Sequence, residues 1–323
     1  MIRNLACISF LLTAPALGQI VRETFDYPDG PVVPGWTQQR GMWEVVDGRI
    51  ASVSGATWAY ITKDGLTARN CVIDGHFKAQ GFGIQFGGLT TRHPGGDVDA
   101  NLLMGKLQRN GSATTFDRLF AYERPLALGE YFVDLRTPTR QARVRMITLD
   151  SEFWLECDGN FDGVFEESLP RRPIAQVFGS GLVGMAGFAN TTMDDFAFFD
   201  AVLVPQPGAM ARVGSTFALH LSTPSPGVTF LGLLSLGRDG IPLGERAVPL
   251  TLDEMLTTSL SSAAALGLLG TTDGAGGAYP GLRIPNVRSL IGLRVFAAAV
   301  TIDVTQPFAI KHISNEQFFT IQS

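Results

Sequence analysis

Between Val21 and Phe199 the chain is written in short runs where apolar and polar side chains alternate, broken at short intervals by Gly, Pro, Asn and Asp. A period of two sends successive side chains to opposite faces of a strand. The segment 42–54, MWEVVDGRIASVS, predicts a hairpin, because Asp47-Gly48 suits a two-residue turn that needs positive φ between Val45 and Ile50. Further strands are predicted at 71–79, 82–89, 101–108, 114–122, 131–135, 142–149 and 152–157, with Asn110-Gly111 as another turn pair. In the closing run 181–204, Phe196 and Phe198 share one face while Ala197 and Phe199 share the other, the mark of a strand covered on both sides. Pro205-Gln206-Pro207-Gly208 then breaks the pattern. Short runs resume in STFALHLS, GVTFLGLLSLG, LRVFAAAVT and QFFTIQS, and the apolar stretch 252–270 reads as strands or a short helix against a core.

Strands at this density without long helical periodicity predict an all-β chain. At 323 residues there is room for two cores. All four tryptophans, Trp36, Trp43, Trp58 and Trp154, precede the Pro205 break, and Leu, Ala and Gly rise after it. The expected division is a first domain at 19–204, a linker at 205–212 and a second domain at 213–323. Residues 1–18 have the basic start, apolar run and small terminal residues of a secretory signal, which predicts a secreted or envelope-associated protein beginning at Gln19. Cys7 would leave with that signal. Loss of Arg3 takes the formal charge from −5 to −6. With basic residues scattered and no Lys/Arg run, nucleic acid is not an expected partner, and no stretch is read as a membrane span. The two remaining cysteines, Cys71 and Cys157, form either one disulfide, worth roughly 4 kcal/mol on the loop-entropy model, or two buried thiols.

Candidate chemistry concentrates in 151–168, SEFWLECDGNFDGVFEES. On a strand, Phe153, Leu155 and Cys157 point to the core, while Glu152, Trp154 and Glu156 share the other face, a ring between two carboxylates. A ring that stacks on a pyranose beside hydroxyl-accepting carboxylates suits a glycan. Trp58 and Tyr60 in TWAYIT make a second platform. The turn that follows carries Asp158, Asn160 and Asp162 before Gly163, the first half of a calcium loop, with the Val164 carbonyl and Glu166 at the seventh and ninth positions. Leu169 stands where the expected bidentate glutamate would be. The histidines His76, His93, His220 and His312 are far apart in sequence, with no zinc spacing, serine elbow or phosphate loop.

The opening segment ETFDYPDGPVVPGWTQQRGMWEVVDGRI, with EFWLECDGN and GLVGMAGFANTTMDDFAFFDA, resembles concanavalin A-like, laminin-G-like jelly-roll domains of secreted bacterial proteins over about residues 22–203. The segments SLGRDGIPL, LRIPNVRSLIGLRVFAAAVT and HISNEQFFTI are similar to an all-β C-terminal module of such proteins, which implies a smaller immunoglobulin-like β-sandwich. The first resemblance implies a non-catalytic binding or surface module with polysaccharide or cell-surface glycan as the leading partner. A structural or adhesion role through protein contacts is the alternative. Glu152-x-Trp154-x-Glu156 also partly resembles the Glu-x-Asp-x-Glu strand of laminarinase-type glucanases, which would make Glu152 a nucleophile and Glu156 an acid/base. Trp154 replaces the middle Asp, so the network that separates the two carboxyl pKa values is incomplete.

Overall fold

The computed structural model describes residues 21–31, 33–53, 58–80, 84–97, 101–111, 113–124, 131–135, 137–165, 167–177, 179–189, 191–244 and 246–323. The secretory signal expected at 1–18, and Glu166, lie outside them. In chain order the first sandwich contains β1 (Val21–Glu23), β2 (Trp36–Arg40), β3 (Trp43–Val46), β4 (Arg49–Ser52), β5 (Ala59–Ala68), β6 (Cys71–Lys78), β7 (Gln85–His93) and β8 (Leu102–Arg109). It continues with β9 (Arg118–Arg124), β10 (Tyr131–Asp134), β11 (Gln141–Leu149), β12 (Glu152–Asp158), β13 (Glu167–Pro173), β14 (Gly181–Phe188) and β15 (Thr192–Phe199). One antiparallel sheet runs β13-β12-β11-β6-β15-β4-β3, with β1 also on β15, and the facing sheet runs β10-β9-β8-β7-β14-β5-β2. Partners distant in sequence, β6 with β15 and β7 with β14, make this a jelly-roll rather than a meander.

Local chemistry explains the elements. Asp47 and Gly48 take φ of 51° and 66°, the two positive values of the predicted hairpin turn between β3 and β4. Phe153, Leu155 and Cys157 of β12 enter the inter-sheet core with Phe77, Leu89 and Phe196, as the alternation predicts.

Cys71 and Cys157 are buried thiols and form no disulfide. They flank β11 opposite Thr148 and Val144, four residues apart and one strand to either side. Strand geometry separates their Cα atoms by roughly 16 Å, against the about 7 Å a disulfide can span. Burial pushes the Cys71 thiol pKa up, and its sulfur lies 3.3 Å from Thr148 Oγ1.

The second sandwich begins before the Pro205 break. β16 (Val202–Pro205) pairs with β17 (Thr216–Ser222), so the chain crosses between sandwiches at Asp200–Ala201. β18 (Thr229–Ser235), β19 (Ile241–Leu243) and β20 (Arg246–Val248) precede α1 (Glu254–Leu266). β21 (Leu269–Thr271), β22 (Gly277–Ala278), β23 (Gly281–Arg283), β24 (Arg294–Ile302), β25 (Ile310–Ile313) and β26 (Gln317–Thr320) follow. β16, β17, β22 and β23 form one sheet, and β18, β21, β24, β25 and β26 the other. The ambiguous stretch 252–270 resolves as a helix: Asp253 caps it by accepting from the Leu256 N–H, and Gly267 at φ 74° ends it. Among the described residues no helix is long and apolar enough to cross a membrane.

The two sandwiches share a core. One apolar cluster holds Val72, Ile147, Leu149, Trp154 and Phe199 from the outward face of the first sheet together with Val204, Leu233, Leu250, Val300 and Ile313 of the second sandwich. The outward face of β11 and β12 is therefore an internal surface of the molecule.

Candidate functional site

That packing decides the surroundings of the first predicted glycan face. Trp154 is 5% exposed, its Nε1 donates to Glu156 Oε1 at 3.3 Å, and the Arg171 guanidinium lies 4.4 Å from its ring centroid. Glu152 remains at the rim, 46% exposed and 3.9 Å from Arg171. Glu156 is partly buried, and its desolvation pushes its carboxyl pKa up. Its folded form thus holds a proton more tightly than the unfolded chain, and the stability this gives at low pH is lost as pH rises through the raised value. Opposite Glu156 in register, Arg145 forks onto Asp74 of β6 with two bonds of 2.7 Å, then reaches Glu316 of the second sandwich at 2.7 Å and the Glu316 carbonyl at 3.0 Å. The second sandwich covers this face, where open access to a sugar was expected.

The acidic turn links β12 to β13. Asn160 Oδ1 accepts from the Asp162 N–H and Asp162 Oδ1 from the Val164 N–H, so both side chains shape the turn. Asp158 is different. It is fully buried, one carboxylate oxygen accepts from the Gly163 N–H at 3.0 Å, and the other has no hydrogen-bond partner among the described residues. An anionic oxygen stranded in this way suits a hard cation at the turn. Leu169, where a calcium loop would place its last carboxylate, pairs with Leu155 and packs into the core, so that position supplies no ligand.

The second predicted platform opens onto a larger one. Trp58 and Tyr60 stand on the outward face of the seven-stranded sheet, where β7, β9 and β14 bring Phe86, Phe120, Tyr122 and Phe188 beside them. Trp58 stacks on Phe86 with centroids 4.9 Å apart and planes 15° from parallel, and it is 6.4 Å from Tyr60. Cross-strand register lays Tyr60, Ala186, Gly88, Lys106 and Phe120 in one row. The small Ala186 and Gly88 form a floor between the rings. A Cβ on Gly88 would sit 2.8 Å from the Gly105 carbonyl, so no larger residue fits there. The Lys106 ammonium lies 4.2 to 5.3 Å from the rings of Phe86, Phe120, Tyr122 and Trp58. Trp58, Phe86 and Phe188 are partly exposed; Tyr60, Phe120 and Tyr122 are buried.

No family model matches the chain, and no curated protein matches it in sequence. Among solved structures, the exoplasmic/lumenal domain of VIP36 in its Ca2+- and mannose-bound form is 13% identical, covers 52% of this chain and 83% of its own, and has a TM-score of 0.40. A prokaryotic beta-1,3-1,4-glucanase (lichenase) from a mouse hindgut metagenome is 16% identical over 55% of this chain and 97% of its own, at 0.39. The CBM2 module of an evolved Dit from Lactobacillus casei BL23 phage J-1 is 10% identical, with coverages of 55% and 93% and a TM-score of 0.40. The strand order described above sets the fold independently of these scores.

Two features escaped the sequence reading. Only Trp58 and Tyr60 of the six rings stand close together in a run read as a platform, because the other four come from strands that become neighbours only in the sheet. His76, Asp194 and Asp195 also converge, with donor atoms within 4.8 Å of one another. Arg49 pairs with Asp194 at 3.0 Å and His76 Nε2 meets Gln141 Oε1 at 3.2 Å, so a guanidinium already supplies the positive charge. His76 holds the Asp195 carboxyl below its usual range.

Proposed function

We propose that this chain is an exported glycan-binding protein whose ligand lies on the aromatic face of the seven-stranded sheet, a face that is itself non-catalytic. The observation that carries this reading is the gathering of six rings from four strands, β5 with the residue before it, β7, β9 and β14, around the floor of Gly88 and Ala186. Flat rings offer apolar faces to the C–H surface of a pyranose, and rings held by cross-strand packing lose little freedom on binding. Glu152 and Glu156 do not form an open pair that could flank a glycosidic bond, since Glu156 faces the second sandwich, lining a cavity with Arg145, Phe296 and Glu316. Titration of a polysaccharide panel against the wild type should find one glycan that protects Trp58 fluorescence. Trp58→Ala and Phe86→Ala should each weaken it at least tenfold, about 1.4 kcal/mol. Retained affinity in both variants would overturn the reading. Binding of no glycan at all would turn the assignment to an adhesion role through protein contacts.

The same proposal includes calcium as a structural ion at the Asp158 turn, held by Asp158, Asn160, Asp162 and the Val164 carbonyl, with Glu166 the further residue named from the sequence. Calcium at a hundredfold excess over its dissociation constant should stabilise the fold by about 2.7 kcal/mol, read as a rise in Tm over an EDTA control. Asp158→Asn should abolish that rise. An identical Tm with calcium and with EDTA would remove the ion from the proposal.

A further inference from the structure

Away from both faces, three side chains remote in sequence meet in a line. His312 of β25 is 4% exposed; its Nδ1 lies 2.7 Å from Asp200 Oδ2 and its Nε2 lies 2.9 Å from Ser225 Oγ. Asp200 sits where the chain crosses from the first sandwich to the second, and Ser225 sits in the turn between β17 and β18. A carboxylate can only accept, so it fixes the proton on Nδ1 and leaves the Nε2 lone pair facing the serine hydroxyl. The other Asp200 oxygen is buried with no hydrogen-bond partner among the described residues, which leaves His312 as its carboxylate's partner.

The serine is held and approachable. Its carbonyl accepts from Thr223 Oγ1 at 2.9 Å and Thr272 Oγ1 at 3.3 Å, which pins the turn. Pro224, Pro226 and Gly227 around it are exposed, and Ser225 itself is partly so. Its own N–H makes no hydrogen bond among the described residues and is available to a developing oxyanion.

We propose that Ser225, His312 and Asp200 form a hydrolytic unit that cleaves carboxylic esters, independently of the glycan face. Ser225 Oγ attacks the ester carbonyl while His312 Nε2 takes its proton; the C–O bond to the alcohol then breaks and the leaving oxygen recovers that proton from His312. The acyl group is left on Ser225. Water, deprotonated by His312, attacks this second ester, the carboxylic acid departs, and the proton returns to Ser225. Ser225 and His312 are the catalytic residues; Asp200 is a positioning residue that holds the imidazole tautomer.

The test is a fluorophosphonate probe on the full mature chain, with peptide mapping of the adduct, alongside turnover of p-nitrophenyl acetate. The P–F bond breaks and a P–O bond to the reacting serine forms, so the adduct names the nucleophile. The expected result is modification at Ser225, lost in Ser225→Ala, a change too small to unfold the turn. Asp200→Asn should slow labelling at least hundredfold while its melting curve stays cooperative, an effect on reactivity that a structural hydrogen bond would not produce. A folded wild type unlabelled at Ser225, or ester turnover that persists in Ser225→Ala, would overturn the proposal.

Discussion

Replacing Arg145 with alanine is expected to cost about 3–5 kcal/mol and to separate the two sandwiches. The guanidinium is buried between Asp74, Glu316 and Glu156, and its charged state is held far above any working pH by the first two. Removing it leaves Asp74 and Glu316 facing each other with only the more distant Arg238, 3.8 Å from Glu316, and Arg143, acting on Asp74, to offset their charge. Breaking one partner of a buried pair is far more costly than replacing the whole group with apolar residues. The combined change Asp74→Leu, Arg145→Met, Glu316→Leu should therefore recover much of the loss. Urea melts would measure the difference, and limited proteolysis at 205–212 would report separation. An Arg145→Ala protein as stable and protease-resistant as the wild type would show that the interface does not depend on this cluster.

Trp154→Ala should be destabilising by a similar amount, about 3–5 kcal/mol, because it empties a large volume inside the shared apolar cluster. It also removes the surface on which Arg171 rests while its Nη2 donates to the Pro205 carbonyl at 2.8 Å. Two measurements separate this role from ligand binding. Iodide should barely quench Trp154, assigned by difference from Trp154→Phe, and any glycan bound at the Trp58 face should bind Trp154→Phe with wild-type affinity. Ready quenching, or glycan affinity that falls with Trp154→Phe, would place the ring at a binding surface instead.

These two residues also mark how far the sequence could be read. The alternation in EFWLEC correctly put Phe153, Leu155 and Cys157 on the core side and Trp154 on the other. Nothing in that run distinguishes a face covered by solvent, by a sugar or by another sandwich, because all three accept a tryptophan flanked by glutamates. Glu316, which completes the Arg145 cluster, lies 171 residues away from it. The His312 unit was hidden for the same reason: sequence spacing keeps the histidines apart from their partners, while Asp200, Ser225 and His312 are brought together by the β15–β16 crossing, the β17–β18 turn and β25.

By itself the sequence determined the all-β character, the Asp47-Gly48 turn and the inward sets of the strands, since these follow from side-chain alternation and backbone preferences acting within a few residues. Tertiary structure alone decided that Cys71 and Cys157 stay apart, that Trp154 is sealed beneath a second sandwich, and that four of the six rings gather around Lys106. Each depends on which strands lie side by side and which faces are covered, and the free energy that settles those choices comes from contacts between residues far apart in the chain.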